Sequence, residues 1–157
     1  MKQKRTLSVL AVILILIGLV ITLENFNVID GLSSHWPIFL LILGTGFSLL
    51  FTQKKDPVMM WLGSLFVFLG LFFYYLNYNS WYSLAVLWPV FLGIIGISFI
   101  LSGLFTQNKI LGFIGSSLVG LFLAFYLVFT ISLKLWPMSL VVFGLSLLII
   151  DYFNKKK

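Results

Sequence analysis

Apolar runs separated by short polar segments set the pattern of this chain. Six such runs can be read at 7–23, 37–51, 58–76, 84–105, 110–130 and 137–153. They are apolar on every side and show no period-2 alternation, so helices that cross a bilayer explain them better than the strands of a barrel. The shorter runs, of 15–17 residues, lie at or just below the lower limit of about 17 residues for a membrane span. We therefore predict six transmembrane helices.

The first run has a second interpretation. It follows Lys2, Lys4 and Arg5, as the apolar segment of a cleaved secretory signal peptide would follow its basic start. However, the run is longer than is usual in such peptides, no A-x-A site follows it, and further spans come later. We predict that it is retained as a helix.

A Trp-Pro pair occurs three times, and a glycine follows each proline seven residues later. The pairs are Trp36-Pro37, Trp88-Pro89 and Trp136-Pro137, and the glycines are Gly44, Gly96 and Gly144. The first two copies lie 52 residues apart, and the same offset joins Gly18 to Gly70 and Asn25 to Asn77. A fixed period of this kind indicates one supersecondary unit copied in tandem.

We predict an all-α integral membrane protein, with a single transmembrane domain over residues 1–157 built from three tandem helix hairpins. Their approximate bounds are 6–53, 58–107 and 110–153. In each hairpin an outgoing helix ends in a polar loop, and a second helix returns from a Trp-Pro pair. Because hairpin follows hairpin in one orientation, the repeats are parallel and differ from the inverted repeats of many transporters.

The Trp-Pro pairs are predicted to be interfacial anchors. Proline fits the first turn of a helix because it has no N–H to leave unpaired. Tryptophan can rest at the headgroup level, with its N–H in water and its ring in lipid. In the second copy the residues before Trp88 are apolar enough for the helix to begin earlier, so Pro89 is expected to kink it.

Composition and charge exclude a soluble domain and suggest an orientation. Hydrophobic residues make up 61% of the chain and charged residues 9%, against about 25% charged residues in soluble domains. The net charge of +6 does not indicate nucleic acid, because the basic residues form short clusters between apolar runs. If the N-terminus is cytoplasmic, nine of the ten basic residues lie on that side and only Lys134 lies outside. This asymmetry predicts that both termini face the cytoplasm.

Small residues mark candidate helix contacts. Gly112, Ser116 and Gly120 form a stripe at four-residue spacing on the fifth predicted helix. The glycines that follow the Trp-Pro pairs are further candidates. Helices in lipid associate by close packing through such residues. Packing within the bundle is the favoured interpretation, and a face for a partner protein is the alternative.

Polar chemistry is sparse. The first outer loop holds Glu24, Asp30 and His35, a set able to bind a metal or transfer protons. Their spacing matches no metal signature, and the second copy carries uncharged residues instead, so a solvated turn is favoured. No ionisable residue lies deep in a predicted span, no catalytic motif is present, and the chain has no cysteine. We expect neither enzyme activity nor a cofactor or metal.

Aromatic side chains cluster around the outer end of the third run, between Phe72 and Tyr82. A belt of aromatic residues at the membrane interface is the favoured interpretation. A site for lipid tails, isoprenoid chains or an apolar peptide is the alternative.

Part of the repeat resembles a known family. The carrying residues are Leu23-Glu24-Asn25-Phe26, the Trp36-Pro37 pair and the apolar residues up to Gly44. This segment is similar to the two-helix transmembrane region of the LiaI/LiaF-like family, and the second copy resembles it equally well. The resemblance implies a bacterial protein of the cytoplasmic membrane linked to cell-envelope stress signalling. Because LiaF-type proteins carry a soluble C-terminal domain and this sequence ends at Lys157, LiaF-like inhibition of a sensor kinase is not expected.

Two classes of function are compatible with these features. The first is a non-enzymatic regulator, sensor or scaffold that acts through helix–helix or lipid contacts, with a membrane-protein partner or by self-association. The alternative is a small transporter, flippase or channel-like component, which would need a polar crevice between the repeats. The chain also has a looser likeness to the six-helix, repeat-built acid-resistance membrane proteins of the HdeD type.

Overall fold

The described part of the chain is entirely helical. This computed structural model describes residues 2–26 and 35–130 and, beyond them, scattered positions between 134 and 148. Within residues 2–26 and 35–130 the chain forms six α-helices: α1 (Lys2–Asn25), α2 (Pro37–Lys54), α3 (Pro57–Tyr78), α4 (Leu84–Leu87), α5 (Val90–Thr106) and α6 (Lys109–Thr130). A 3-10 turn at Trp81–Ser83 precedes α4. The predicted all-α class is confirmed for these residues.

Helix length and composition fit a multi-pass membrane protein. Four of the described helices are long and apolar enough to cross a bilayer: α1, α2, α3 and α6. The bent pair 81–87 and α5 would make a fifth span if it crosses as one piece. The sixth predicted span, 137–153, lies outside the described residues except at scattered positions.

The chain divides into two compact units, Met1–Asn79 and Ser80–Lys157. In the first unit, α2 and α3 form the closest helix pair, and in the second unit α5 and α6 do. The predicted hairpin of residues 6–53 pairs α1 with α2, and these two helices are also in contact. Among the described helices, the most extensive packing runs across the short turns that follow α2 and α5.

The turn between α2 and α3 and the turn between α5 and α6 have the same two-residue structure. Lys55 and Gln107 adopt left-handed backbone, each with φ of 55°. The side-chain oxygen of the next residue, Asp56 or Asn108, then accepts the N–H two residues further on at 3.0 Å. Such an N-cap satisfies one of the amides that a helix start leaves unpaired. The two turns lie 52 residues apart.

In the first unit, α1 lies along one side of α2. A Cβ added at Gly46 would collide with the side chain of Ile13, so the two helices approach closely there. Val9 and Val20 are buried on the same helix, whereas most other apolar side chains of α1 are exposed. One face of α1 is thus packed inside the unit and the rest is free to meet lipid.

The two Trp-Pro pairs in the described residues start their helices differently. Pro37 occupies the first turn of α2, as predicted. At Trp88-Pro89 the chain bends by 70° between residues 81–87 and α5. The Trp88 N–H still donates to the Leu84 carbonyl at 2.9 Å, but Pro89 has no N–H with which to continue the ladder. The predicted kink at Pro89 is confirmed.

Candidate functional site

The candidate site of this protein is a pair of helix–helix contacts, here called the first seam (α2 with α3) and the second seam (α5 with α6). In the first seam a Cβ added at Gly44 would lie 2.7 Å from the Val67 nitrogen and 2.8 Å from the Gly63 carbonyl oxygen. Both atoms belong to backbone, which cannot rotate away. Only glycine therefore allows this approach, as in other close contacts between membrane helices.

The second seam repeats these contacts 52 residues later. A Cβ added at Gly96 would lie 2.9 Å from both the Val119 nitrogen and the Gly115 carbonyl oxygen. From the other side, a Cβ on Gly63 would meet the Ser48 nitrogen at 2.8 Å, and one on Gly115 would meet the Ile100 nitrogen at 2.7 Å. Each seam therefore rests on two glycines that face each other.

Next to the glycine pairs, the two seams carry the large and the small residue on opposite helices. In the first seam Leu41 of α2 fills the space over Gly70 of α3, with its Cδ2 2.8 Å from an added Cβ. In the second seam Gly93, at the position of Leu41, lies under the Phe122 ring, whose nearest atoms are 3.0 Å from an added Cβ. The large side chain belongs to α2 in the first seam and to α6 in the second, so in both seams the space between the helices is filled.

In each seam the Trp-Pro pair lies at the end that is farthest from the turn. The Trp36 ring lies 4.9 Å from Phe73, and the Trp88 ring lies 5.4 Å from Phe125, the residue 52 positions after Phe73. Trp88 also meets Phe129 at 5.3 Å, edge to face. Such ring pairs contribute about 0.5–1.5 kcal/mol beyond their buried area.

The prolines of these pairs lie inside the protein. Pro37 and Pro89 are both fully buried, while Trp88 is 36% exposed. The tryptophans are therefore the members of each pair that could also contact an interface, and their role as interfacial anchors stays a prediction. Trp136 of the third pair lies outside the described residues, and Pro137 is an exposed helical position.

The predicted small-residue stripe of α6 meets the second seam at its turn end, where a Cβ added at Gly103 would lie 2.6 Å from the Gly112 nitrogen. Gly120 is buried, and the Ser116 hydroxyl donates to the Gly112 carbonyl at 2.9 Å. A Cβ added at Gly112 or at Gly144 would meet no atom within 4 Å among the described residues. The stripe shares a helix with the seam glycine Gly115 but does not include it.

Sequence reasoning missed several residues that build the contacts. They are Gly46, Gly63, Gly70, Gly93, Gly103 and Gly115. A signal for two of them was present, because Gly63-Ser64 and Gly115-Ser116 recur at the 52-residue offset. The Phe-Thr-Gln triplets at 51–53 and 105–107 do not follow this offset, since they are 54 residues apart.

The predicted outer-loop group is only partly described. Glu24 lies in the last turn of α1, Asp30 falls outside the described residues, and His35 precedes α2. The His35 ring lies 6.2 Å from the Tyr74 ring, and the Tyr74 hydroxyl donates to the His35 carbonyl at 3.4 Å. Within the described residues no three potential metal ligands come together. The described contacts of His35 thus join the start of α2 to the C-terminal end of α3.

Hydroxyl groups within the spans bond to their own helices. Ser48, Ser64 and Ser98 donate to the carbonyl four residues earlier at 2.8–2.9 Å. This arrangement satisfies the hydroxyl donor where no water is present. Ser98 and Ser102 are also fully buried. These side chains are compatible with close packing in an apolar surrounding.

Comparison with known proteins gives one match. A family model described as the LiaF transmembrane domain matches residues 9–107. The matched segment begins in α1, contains the whole first seam and ends at the left-handed residue Gln107 after α5. No curated protein sequence and no solved structure matches the chain.

Proposed function

Because the chain belongs to the LiaF transmembrane domain family, we propose that it is a non-enzymatic regulator, sensor or scaffold in bacterial cell-envelope stress or homeostasis. It would reside in the cytoplasmic membrane and act through helix–helix or lipid contacts. The family membership links the protein to envelope stress. The proposed mechanism is inferred from which helix faces are packed inside each unit and which are exposed.

The observation that supports this mechanism is that some helix faces are packed inside their own unit while others are exposed. The seam glycines Gly44, Gly63, Gly96 and Gly115 are engaged inside their own units. By contrast, each unit exposes long apolar side chains, with Leu14 and Leu104 both 69% exposed. Such surfaces suit lipid or the spans of a second membrane protein, because contact with either leaves no polar group unpaired.

We also propose the finer topology that the sequence predicted. Parallel tandem units with cytoplasmic termini would place both seam turns on the cytoplasmic side. The positions of Lys54, Lys55 and Lys109 at these turns support this orientation, since short cytoplasmic loops are rich in lysine and arginine. The recurrence of the seam contacts at a 52-residue offset supports a tandem unit.

A small transporter, flippase or channel-like component is the second candidate. Such a protein needs polar groups along a path through the spans. Ser98 is a fully buried hydroxyl, and its proton is engaged with the Ile94 carbonyl at 2.8 Å. This engagement supports the regulator or scaffold over the transporter.

Site-specific photocrosslinking in intact bacteria tests the proposed mechanism. A photoreactive amino acid would replace Leu14, Leu71 or Leu104, which are exposed, or Leu76, which is fully buried. We expect specific membrane-protein adducts from at least one exposed position and none from Leu76. The adducts would be identified by mass spectrometry.

A deletion strain provides the second arm of the test. The response of an envelope-stress reporter to a cell-wall antibiotic should change when the protein is absent and return when it is restored. An unchanged reporter together with adducts to lipid alone would contradict the proposal. Substrate flux into vesicles that contain the purified protein would instead support the transporter.

A further inference from the structure

The 52-residue register indicates which part of residues 81–106 crosses the membrane. Helices α2 and α5 end at Lys54 and Thr106, which are 52 positions apart. The prolines at their starts, Pro37 and Pro89, have the same offset. Since α2 is by itself long and apolar enough to cross a bilayer, and α5 makes the equivalent seam contacts, we expect α5 to cross alone. The residues before Pro89 are then not needed to complete a span.

Those residues turn away from the span. The bent segment, defined here as Trp81–Leu87, makes an angle of 70° with α5. Seven helical residues are about 10 Å long, so at this angle the segment advances only about 4 Å along α5. Membrane helices are tilted on average by about 20° from the bilayer normal. A segment at this angle to α5 therefore runs mostly along the plane of the membrane.

The bent segment has both packed and exposed side chains. Its helix α4 packs against α6, and Leu84 is half-buried. By contrast, Tyr82 is 92% exposed, Trp81 46% and Val86 41%. These three side chains are aromatic or apolar, and the sequence has no charged residue from 57 to 108. An exposed surface of this kind is typical of the membrane interface, where tryptophan and tyrosine are enriched.

Backbone N–H groups at both ends of the bent segment already have acceptors. The Tyr82 N–H donates to the Ser80 hydroxyl oxygen at 3.2 Å, and the Ser83 N–H donates to the Ser80 carbonyl at 3.2 Å. After the segment, the Trp88 N–H donates to the Leu84 carbonyl at 2.9 Å. These groups can therefore enter the boundary of the bilayer without losing a hydrogen bond to water.

We propose that the bent segment is a lipid-binding element that lies along the bilayer interface. Trp81, Tyr82 and Val86 insert at the boundary between headgroups and acyl chains. This arrangement differs from a belt of aromatic residues on spanning helices, because here the backbone itself follows the membrane surface. Binding comes from the burial of apolar side chains, and without a charged residue in this region it does not require anionic headgroups.

Lipid is the occupant that fits because the bent segment is continuous with a span. Its backbone leads directly into α5, which exposes the apolar side chains of Ile97 and Leu104. The lipid boundary around α5 therefore extends to the segment. This contact does not depend on a role in envelope stress, so either proposal can fail without the other.

Depth measurements on single-cysteine variants test the proposal, because the chain has no cysteine of its own. Tyr82→Cys and Val86→Cys would each carry a nitroxide spin label in phosphatidylcholine vesicles. Collisions of the label with oxygen and with a water-soluble nickel complex give its depth. We expect both labels at the boundary between headgroups and acyl chains. Their depths should differ by about 2 Å, because four helical residues span about 6 Å and the segment lies at 70° to α5.

A matched control pair lies on the spanning helix α3. Leu71 and Tyr75 are also four residues apart, and they are 54% and 50% exposed. Labels on Leu71→Cys and Tyr75→Cys should differ in depth by about 6 Å. The same difference between the labels at positions 82 and 86 would show that the bent segment belongs to a span, and would overturn the proposal.

Two other results would also overturn it. Free access of the nickel complex to both labels would show that the segment lies in water. Immersion that disappears when the protein is diluted with lipid would show that a second copy of the chain covers the segment.

Two substitutions test the chemistry of the contact. Val86→Asp should move a label on the Tyr82→Cys variant toward water, because a carboxylate is costly to insert into a bilayer. Val86→Leu should leave the depth of that label unchanged, as should the addition of phosphatidylglycerol to the vesicles. Equal depths in the two substituted proteins, or a depth that requires phosphatidylglycerol, would contradict insertion through apolar side chains. Unchanged labels on α3 would confirm that both variants are folded.

Discussion

The two seams show which features of a helix contact are fixed and which are free to vary. Both have facing glycines, both turn through a left-handed residue and an N-cap, and both close with a tryptophan on an aromatic ring. One helical turn from the glycines they differ, because Leu41 over Gly70 becomes Gly93 under Phe122. Where backbone meets backbone only glycine fits, whereas elsewhere the filled volume matters and not the helix that supplies it.

The seams also differ in how the chain enters them. Helix α2 begins at Pro37, whereas at Pro89 the chain bends by 70° between residues 81–87 and α5. In both cases the proline is fully buried and the tryptophan before it touches the next long helix. The contacts after the proline therefore do not depend on the structure before it.

The largest effect is expected from breaking a glycine crossing. Gly44→Leu should lower the free energy of unfolding by about 3 kcal/mol, because the new Cβ would lie within 3 Å of backbone atoms. Gly96→Leu should do the same in the second seam. Gly112→Leu, whose added Cβ would meet no described atom within 4 Å, should stay within about 0.5 kcal/mol of the unsubstituted protein. Reversible unfolding in bicelles, followed by tryptophan fluorescence, measures all three, and equal effects at Gly44 and Gly112 would refute the seam.

Because the two seams carry the large residue on different helices, two substitutions in the first seam should compensate for each other in stability. Gly70→Phe alone should destabilise by about 2 kcal/mol through overpacking, and Leu41→Gly alone by about 2 kcal/mol through lost packing and helix propensity. Together they reproduce the second seam, so the double variant should recover at least about 1 kcal/mol relative to the sum of the single changes. Strict additivity in a double-mutant cycle would show that the two side chains do not share a site.

The tryptophans give a smaller and unequal effect. Trp88→Ala should destabilise more than Trp36→Ala, because Trp88 meets two rings of α6 and Trp36 has one recorded ring partner on α3. The ring contacts suggest a difference of about 1 kcal/mol. Thermal unfolding of the two variants in the same detergent measures it. A larger loss at Trp36 would mean that placement at the interface outweighs ring contact.

The smallest effects are expected at the turns. Asp56→Ala and Asn108→Ala should each cost about 1 kcal/mol through the loss of an N-cap. Lys55→Gly should be neutral or stabilising by up to about 1 kcal/mol, because glycine adopts left-handed backbone more easily than a residue with a side chain. The same unfolding assay checks these changes. Marked destabilisation by Lys55→Gly would indicate that the lysine has another role in this turn.

Much of the fold could be predicted because lipid leaves few choices. Apolar runs of this length must become helices, so the all-α class follows from composition. The first turn at Pro37 and the kink at Pro89 follow from the missing N–H of proline and the apolar residues before Trp88. The LiaF-like assignment rested on residues around Asn25, Trp36 and Gly44, and the family match covers them.

The pairing of helices was harder to predict for a physical reason. A repeat of 52 residues fixes a period but not the point at which a unit begins. The sequence pattern groups the helices into hairpins across the outer loops, and that grouping stays a prediction. Among the described helices, the most extensive packing lies across the short turns. The role of the Gly112 stripe stays a prediction, since spacing shows which residues share a face but not which face meets a neighbour.

Intrachain disulfide formation at equivalent positions of the two seams tests the central claim most directly. One protein would carry Leu41→Cys with Gly70→Cys, and another would carry Gly93→Cys with Phe122→Cys, both oxidised in native membranes. We predict that both form internal disulfides rapidly, whereas Leu14→Cys with Gly70→Cys does not. Failure of either seam pair, or equal crosslinking of the Leu14 control, would contradict the claim that the same contact holds both hairpins together.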